Sequence, residues 1–316
     1  YTKAVDDVSF SIRQGEIVGL VGESGCGKST IGRCIVRGYK PTSGQMLFRN
    51  RDGSVVDLAA IEGKDLLPYR RDIRMIFQDP YSSLNPRMTV FENVSEALKV
   101  NRIGNASEMQ DRVAYLLKRV GLRPEYMRRY PHAFSGGERQ RIVIARALVT
   151  NPRLIVADEA VSALDVSVRA QILNLMEELQ ADFNLTYLFI AHDLSVVRHI
   201  CSRVIVMYVG KVAEVAEGLD LYTDPKHPYT EALMSAVPIS NPRQRNRGKR
   251  IRLPGEVADP SNPPGGCYFH PRCRYATDKC KAEEPPLERL AGNHLVACHY
   301  ARELNLEGAI NPNTVA

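Results

Sequence analysis

The sequence has 316 residues, of which 44% are hydrophobic and 25% are charged. This length predicts two domains, or one large domain with an extension, and the composition excludes collagen-like, coiled-coil and wholly disordered chains. The net charge of +6 is modest for this size, so charge alone does not indicate nucleic acid as a partner. The longest apolar runs, such as residues 204–209, are shorter than the ~20 residues that span a bilayer as a helix.

Up to about residue 218, short apolar runs alternate with segments of helical periodicity, a pattern that predicts an α/β protein. Buried central strands are predicted at four places, residues 17–21, 154–157, 187–191 and 204–207. Apolar side chains at spacings of three and four predict an amphipathic helix over residues 168–183. Between residues 86 and 130 the strand pattern lapses, and helices are predicted at 90–100 and 107–120.

The character of the sequence changes after residue 218. Residues 241–252 hold six basic side chains and no acid, and residues 254–266 add four prolines and three glycines. A basic run of this kind predicts a solvated linker. From residue 301 onward we expect a loose tail.

A glycine-rich stretch follows the first predicted strand and opens a helix, which is the context of a phosphate-binding loop. It consists of Gly22, Glu23, Ser24, Gly25, Cys26, Gly27, Lys28, Ser29 and Thr30. Without side chains the glycine backbone can curl so that successive N–H groups converge on phosphate oxygens, and the helix dipole adds positive potential there. We expect Lys28 to bind the β- and γ-phosphates and Ser29 to offer its hydroxyl to Mg²⁺.

Two adjacent acids end the predicted buried strand at residues 154–157. We expect Asp158 to lie in the Mg²⁺ shell and Glu159 to polarise the attacking water at the γ-phosphate. General-base work of this kind is worth about 10² to 10⁴ in rate.

Residues 135–141 carry the most specific pattern, Ser-Gly-Gly-Glu-Arg-Gln-Arg. Ser135 and Glu138 have the spacing of a capping box, so a helix is predicted to begin here, and Gly136 and Gly137 permit an anion to approach its N–H groups. Together with the phosphate loop and the paired acids, this stretch resembles the signature of the ATP-binding subunits of ABC transporters. The resemblance implies a head-to-tail ATP sandwich, in which this helix start serves a nucleotide bound mainly by a partner subunit.

Four other positions match the family one by one. Gln78 resembles the glutamine that contacts Mg²⁺ and senses the γ-phosphate, and His192 resembles the switch histidine that bonds the γ-phosphate. Asp165 resembles the residue that approaches the partner's phosphate loop across the dimer interface. Tyr1 is the candidate for stacking on adenine, the alternative being a residue upstream of this sequence.

The resemblance implies an α/β fold with a RecA-like phosphate-loop core, an ABC-type antiparallel β part, a helical signature subdomain and a cysteine-containing C-terminal extension. The expected core covers residues 1–85 and 131–218, and the helical subdomain covers 86–145. The extension is expected at 219–300 and the tail at 301–316.

Residues 79–86, 159–167 and 227–233 resemble the oligopeptide/dipeptide importer branch, and residues 262–267 resemble its F-type ATPase subunit. This implies a D-type ATPase partner in a heterodimer, two transmembrane permease subunits, an extracytoplasmic solute-binding protein, no nucleic acid, and a place at the cytoplasmic face of a bacterial or archaeal plasma membrane. Relatives in this branch also carry nickel, glutathione or sugar–peptide conjugates. The alternative is a soluble ABC ATPase of DNA repair or translation.

The seven cysteines are an odd number in a sequence with no visible leader, which predicts a reducing compartment and thiols or metal ligands. Four of them follow the spacing C-x5-C-x6-C-x17-C, namely Cys267, Cys273, Cys280 and Cys298. The pattern lacks the C-x2-C pair usual in zinc sites, and four thiolates can hold a [4Fe–4S] cluster, which the resemblance favours. Free thiols remain an alternative, as does zinc with His270, His294 or His299 as a substitute ligand. A bound group would stabilise an extension too small to build its own core.

Overall fold

The computed structural model describes residues 2–237, 250–290 and 292–309. The chain divides into two compact units. One comprises Tyr1–Ser11, Ile17–Thr30 and Phe189–Ala316, and the other comprises Ile12–Glu16 and Ile31–Leu188.

In the described ranges the structure has both strands and helices, as the sequence predicts. The strands are β1 (Ile17–Val21), β2 (Leu47–Arg49), β3 (Val55–Asp57), β4 (Ile73–Ile76), β5 (Leu154–Asp158), β6 (Thr186–Ile190), β7 (Arg203–Tyr208), β8 (Lys211–Glu217), β9 (Glu288–Arg289) and β10 (Leu295–Val296). The α-helices are α1 (Lys28–Ile35), α2 (Leu67–Asp72), α3 (Pro80–Ser83), α4 (Val90–Val100), α5 (Ala106–Arg119), α6 (Gly136–Leu148), α7 (Val166–Phe183), α8 (Leu194–Ile200), α9 (Gly218–Thr223), α10 (Pro228–Ser235) and α11 (Asp278–Ala282). Helix α1 and strand β6 cross the division between the units.

The first unit contains a mixed sheet. Strand β1 pairs in parallel with β7, so that Leu20 lies opposite Ile205, and every residue of both strands is buried. Strands β7 and β8 are antiparallel and are joined at Val209 and Gly210, whose φ angles are 41° and 78°. Positive φ at both central residues is the requirement of a tight two-residue hairpin turn. Strand β10 continues the sheet from β8, and β9 pairs with β10.

The second unit contains the parallel pair β4 and β5, the hairpin of β2 and β3, and the helices α4 to α7. Helix α4 has the predicted bounds, because Thr89 and Glu92 form a capping box that fixes its start. Asn105 and Glu108 do the same for α5, which therefore begins slightly earlier than the sequence predicts. Helix α4 packs against α5 and α6.

The predicted amphipathic helix at residues 168–183 is confirmed as α7. Its buried residues include Ile172, Leu175, Met176 and Leu179, which form the predicted apolar face. The helix begins at Val166 rather than at residue 168, since the preceding side chain caps it, and it ends at Asn184 with a left-handed φ of 50°.

The expected loose tail is wrong for the residues that the structure describes there, 301–309. Ala301 and Leu306 are each 6% exposed, and the Glu307 N–H donates to Glu231 Oε1 at 3.0 Å. Tyr1, and residues 238–249 with most of the predicted basic linker, lie outside the described residues. A search of the described helices finds none with the length and apolarity needed to cross a membrane.

Candidate functional site

The glycine-rich loop joins β1 to α1, as predicted. At Gly22, φ is 151° and an added Cβ would lie 2.2 Å from the Met207 carbonyl oxygen. At Gly27, φ is 101° and an added Cβ would lie 2.1 Å from the Ala4 carbonyl oxygen. These separations are far inside van der Waals contact, so both positions require glycine for conformation and for space.

Lys28 lies at the start of α1 and is only 6% exposed. Its Nζ donates to the carbonyl oxygens of Gly22 at 2.8 Å and of Glu23 at 2.9 Å, and it lies 3.5 Å from Cys26 Sγ. The loop thus folds its own backbone around the ammonium group. Burial raises the pKa of the Cys26 thiol although the Lys28 charge opposes the shift, so Cys26 stays protonated at neutral pH.

Glu23 has protein partners for both its side chain and its main chain. Its carboxylate accepts two hydrogen bonds from Arg272, at 2.6 and 3.1 Å, and its backbone N–H donates to Tyr229 Oη at 2.9 Å. The pair with Glu23 raises the pKa of the Arg272 guanidinium above its usual range. The sequence analysis missed both partners, because nothing local marks Arg272 as a contact of a loop 249 positions away.

The paired acids lie at the end of β5. Asp158 is the last residue of the strand and is 7% exposed. Glu159 has a left-handed φ of 49°, and its carbonyl oxygen accepts from both the N–H and the hydroxyl of Ser162. A non-glycine residue in this conformation is strained by roughly 1–3 kcal/mol, and such strain clusters at functional sites. Gln78 Nε2 donates to Glu159 Oε2 at 2.9 Å, so the structure brings these two predicted site residues into contact.

The predicted capping box at the start of α6 is confirmed. The Ser135 N–H and hydroxyl donate to Glu138 Oε2 at 2.9 and 2.8 Å, and the Glu138 N–H donates back to Ser135 Oγ at 3.4 Å. The backbone N–H of Ser135 holds the pKa of Glu138 below its usual value. At Gly136 an added Cβ would meet nothing within 4 Å, whereas at Gly137 it would lie 2.6 Å from Val168 Cγ1. The first turn of the helix is therefore open at Gly136, where an anion would approach.

Asp165 and His192 occupy the starts of two further segments. The Asp165 side chain accepts from the Val168 N–H at 2.9 Å and from the Ser167 hydroxyl at 2.9 Å, so it caps α7. The Val168 N–H lowers the pKa of this carboxyl. His192 is exposed and follows β6 after Ala191. The loop with Lys28, Ser29 and His192 belongs to the first unit, and Gln78, Asp158, Glu159, Asp165 and the α6 start belong to the second.

The four clustered cysteines line one small cavity, which His227, His270 and His299 also line. Burial raises the pKa of Cys267 to about 11 and that of Cys298 to about 12. All seven cysteines of the chain carry free thiols. In the parts of the chain that the structure describes, no group of three or more His, Cys, Asp or Glu side chains is placed so that it could hold a metal ion. The zinc hypothesis therefore has no support, and the shared cavity is the observation in favour of a four-thiolate cluster.

Two family models match the chain. The model described as ABC transporter covers residues 5–162, which include the phosphate loop, Gln78, the α6 start and the paired acids. The model described as the oligopeptide/dipeptide transporter C-terminal region covers residues 213–280, which include three of the four clustered cysteines.

Curated proteins and solved structures give the same result. The oligopeptide transport ATP-binding protein AppF of Bacillus subtilis is 54% identical over 94% of this chain and 89% of its own, and a putative peptide import ATP-binding protein of Brucella ovis is 49% identical over 94% and 91%. The dimeric ATP-binding cassette MJ0796, bound to ADP and Pi, matches with a TM-score of 0.59 and 31% identity over 68% of this chain and 90% of its own. The cbiO1 structure from Clostridium perfringens, part of the ABC transporter complex cbiONQ, matches with a TM-score of 0.61 and 27% identity over 69% and 84%. The chain belongs to the ATPases of ABC transporters, in the oligopeptide/dipeptide branch that its C-terminal region defines.

Proposed function

We propose that this protein is the ATP-hydrolysing subunit that powers an ABC importer for peptides. The observation that carries the proposal is the match of one chain to both the ABC transporter model and the oligopeptide/dipeptide C-terminal region. A curated oligopeptide transport ATP-binding protein that aligns with 94% of the chain supports the same substrate class.

Within this function we assign the phosphate loop, residues 22–30, to the phosphates of ATP. Lys28 neutralises charge on the β- and γ-phosphates. The backbone carbonyls that now hold its ammonium group are neutral acceptors, which phosphate oxygens can outcompete. Tyr1 remains the candidate for stacking on adenine.

Mg²⁺ would be held by Ser29, Asp158 and Gln78, whose oxygen-bearing side chains are the ligand type this cation takes. When bound, it neutralises charge on the transferred phosphoryl group. We assign Glu159 to polarising the attacking water and His192 to bonding the γ-phosphate. The hydrogen bond from Gln78 to Glu159 supports a direct link between the nucleotide sensor and the base.

The start of α6 and Asp165 are assigned to the nucleotide of a partner ATPase. Ser135, Gly136, Gly137 and Glu138 form a helix start whose open face at Gly136 suits a terminal phosphate. The dimeric state of the MJ0796 cassette supports pairing of two such ATPases. We propose that the partner is a D-type subunit, this chain being the F-type, and that both act peripherally at the cytoplasmic face of the plasma membrane beneath two permease subunits that receive solute from an extracytoplasmic binding protein.

For the four-cysteine cavity we propose a [4Fe–4S] cluster with a structural role. Four thiols on one cavity are the donor set that such clusters take. Iron and sulfide analysis of anaerobically purified protein, with its visible absorption spectrum, tests this. Protein with four reactive thiols in this region and neither iron nor sulfide would contradict it.

The catalytic assignment is tested with the assembled transporter carrying Glu159→Gln. Glutamine keeps the size of the side chain and its contact with Gln78 but cannot act as a base, so we expect turnover to fall by about 10² to 10⁴ while ATP still binds. Glu178→Gln, the same change at an exposed position of α7, is the matched control. Wild-type turnover of Glu159→Gln would refute the assignment of the base.

The substrate class is tested by uptake into cells or vesicles that contain the assembled transporter. We expect ATP-dependent uptake of short peptides, abolished by Lys28→Ala. Uptake of nickel or glutathione without peptide uptake would refute the peptide assignment and leave the ATPase assignment intact.

A further inference from the structure

The C-terminal extension reaches the phosphate loop at one residue, Glu23. Arg272 Nη1 donates to Glu23 Oε2 at 2.6 Å and Nη2 donates to Oε1 at 3.1 Å, which is the two-bond geometry that makes such pairs strong and directional. The side chain of Arg272 is 9% exposed and that of Glu23 is 27% exposed. The guanidinium is also anchored on the extension itself, because Nε donates to the Pro254 carbonyl oxygen at 3.3 Å.

A second residue of this region fixes the main chain of Glu23. The Glu23 N–H donates to Tyr229 Oη at 2.9 Å. Tyr229 is fully buried, and its ring lies 4.7 Å from that of Tyr208 and 5.4 Å from that of Phe269, measured between centroids. The hydroxyl is therefore presented by a packed aromatic cluster with little freedom to move.

These contacts bear directly on the lysine of the loop. The Glu23 carbonyl oxygen accepts from Lys28 Nζ at 2.9 Å. A shift of the Glu23 backbone would therefore move one of the groups that hold Lys28. The route from the extension to Lys28 passes through a single loop residue, whose side chain and N–H are both held from outside the loop.

Charge gives the pair a second consequence. Glu23 places a carboxylate in the loop that receives a polyanion, and like charges at short range disfavour binding. Arg272 pairs with this carboxylate through both oxygens. It therefore neutralises the one acidic side chain of residues 22–30.

We propose that Arg272 and Tyr229 are positioning residues for the phosphate loop, so that the C-terminal extension sets the affinity of the chain for ATP. The inference rests on the proposed function only in that residues 22–30 bind the phosphates of ATP. Neither residue touches the nucleotide in this scheme; both act through Glu23.

The test compares Arg272→Met with Arg274→Met in the assembled transporter. Arg274 also makes an ion pair within the first unit, with the buried Glu231 at 2.8 Å, but it has no contact with the loop among the interactions described above. We expect Arg272→Met to raise the Kd for MgATP by about tenfold to a hundredfold, the scale of losses from small misplacements of binding groups. The kcat at saturating ATP should stay near the wild-type value, and Arg274→Met should leave the Kd within about twofold, as expected for distant independent sites.

Two further variants separate positioning from general loss of stability. Arg272→Lys keeps the charge but not the two-bond geometry, so its Kd should lie between wild type and Arg272→Met. Adding Glu23→Gln to Arg272→Met removes the uncompensated carboxylate and should restore part of the affinity. Unfolding midpoints of all variants show whether they are folded.

The inference is overturned if Arg272→Met binds MgATP as wild type does, if Arg274→Met weakens binding equally, or if Glu23→Gln restores nothing. Lys28→Ala tests the proposed function separately, because it must abolish ATP binding whatever the extension does. Wild-type ATP binding by Lys28→Ala would refute the loop assignment rather than the role of Arg272.

Discussion

A pair of glycine-to-alanine changes in the phosphate loop measures how closely its backbone is packed. Gly25 and Gly27 both have left-handed φ angles, 81° and 101°. An added Cβ at Gly25 would meet nothing within 4 Å, whereas at Gly27 it would lie 2.1 Å from the Ala4 carbonyl oxygen. Alanine at the two positions therefore shares the conformational cost and differs in the steric one.

The magnitudes follow from these two terms. A left-handed conformation costs a residue with a Cβ about 1–2 kcal/mol, so Gly25→Ala should lower the free energy of unfolding by that amount. The overlap at Gly27 involves a backbone oxygen rather than a flexible side chain, and relieving it by backbone shifts costs roughly another 1–3 kcal/mol. Because the shift moves the loop itself, Gly27→Ala should also lose most of its ATP affinity.

The assay is urea unfolding of the two variants and wild type without nucleotide, followed by equilibrium binding of MgATP. We expect Gly27→Ala to be the less stable variant and the weaker binder. Equal losses of stability in Gly25→Ala and Gly27→Ala would show that contact with Ala4 is not the reason for glycine at position 27.

Two other features give predictions about stability. His227 is buried, and burial lowers its pKa to about 4 from an unfolded value of 6.5; since the unfolded chain takes up a proton below pH 6.5 that the folded chain refuses until about pH 4, the free energy of unfolding should fall by about 3 kcal/mol as pH drops through this window. His227→Asn, whose side-chain oxygen can still accept the Tyr229 N–H that His227 Nδ1 accepts at 3.0 Å, should remove this slope when urea midpoints are measured against pH, and an unchanged slope would assign it to other groups. Ser135→Ala removes the side-chain acceptor for the Glu138 N–H and should cost about 1 kcal/mol, whereas Ser135→Thr keeps the acceptor and should cost less; equal losses in a thermal unfolding comparison would contradict the capping role.

The sequence predicts those parts of the fold whose cause is local. Strand β1 has the predicted bounds because five apolar residues are followed at once by the glycine-rich turn. Helix α4 also has them, since Thr89 and Glu92 sit at capping spacing before an apolar face. The two displaced helix starts have the same cause: Asn105 and Asp165 cap α5 and α7, and both signals were present in the sequence.

Contacts between distant segments could not be predicted in this way. Arg272 lies in a part of the chain rich in proline and glycine, where no periodicity assigns a face to a side chain, and its partner Glu23 is 249 positions away. The packing of Leu306 was missed for a related reason. A single apolar residue in a polar segment has no pattern around it, and its burial depends on a surface built by other elements.

The state of Lys28 explains why an acid inside the phosphate loop needs a partner from elsewhere. A buried ammonium group held only by carbonyl oxygens is less well compensated than one paired with an anion, so a carboxylate within reach would compete with phosphate for it. Glu23 is placed to compete, since Lys28 already contacts its carbonyl oxygen. The two hydrogen bonds from Arg272 engage both oxygens of that carboxylate and so leave Lys28 to the nucleotide. Substitution of Arg272 should therefore weaken ATP binding by creating an internal competitor, which is why we expect removal of the Glu23 charge to restore affinity even though the ion pair itself stays broken.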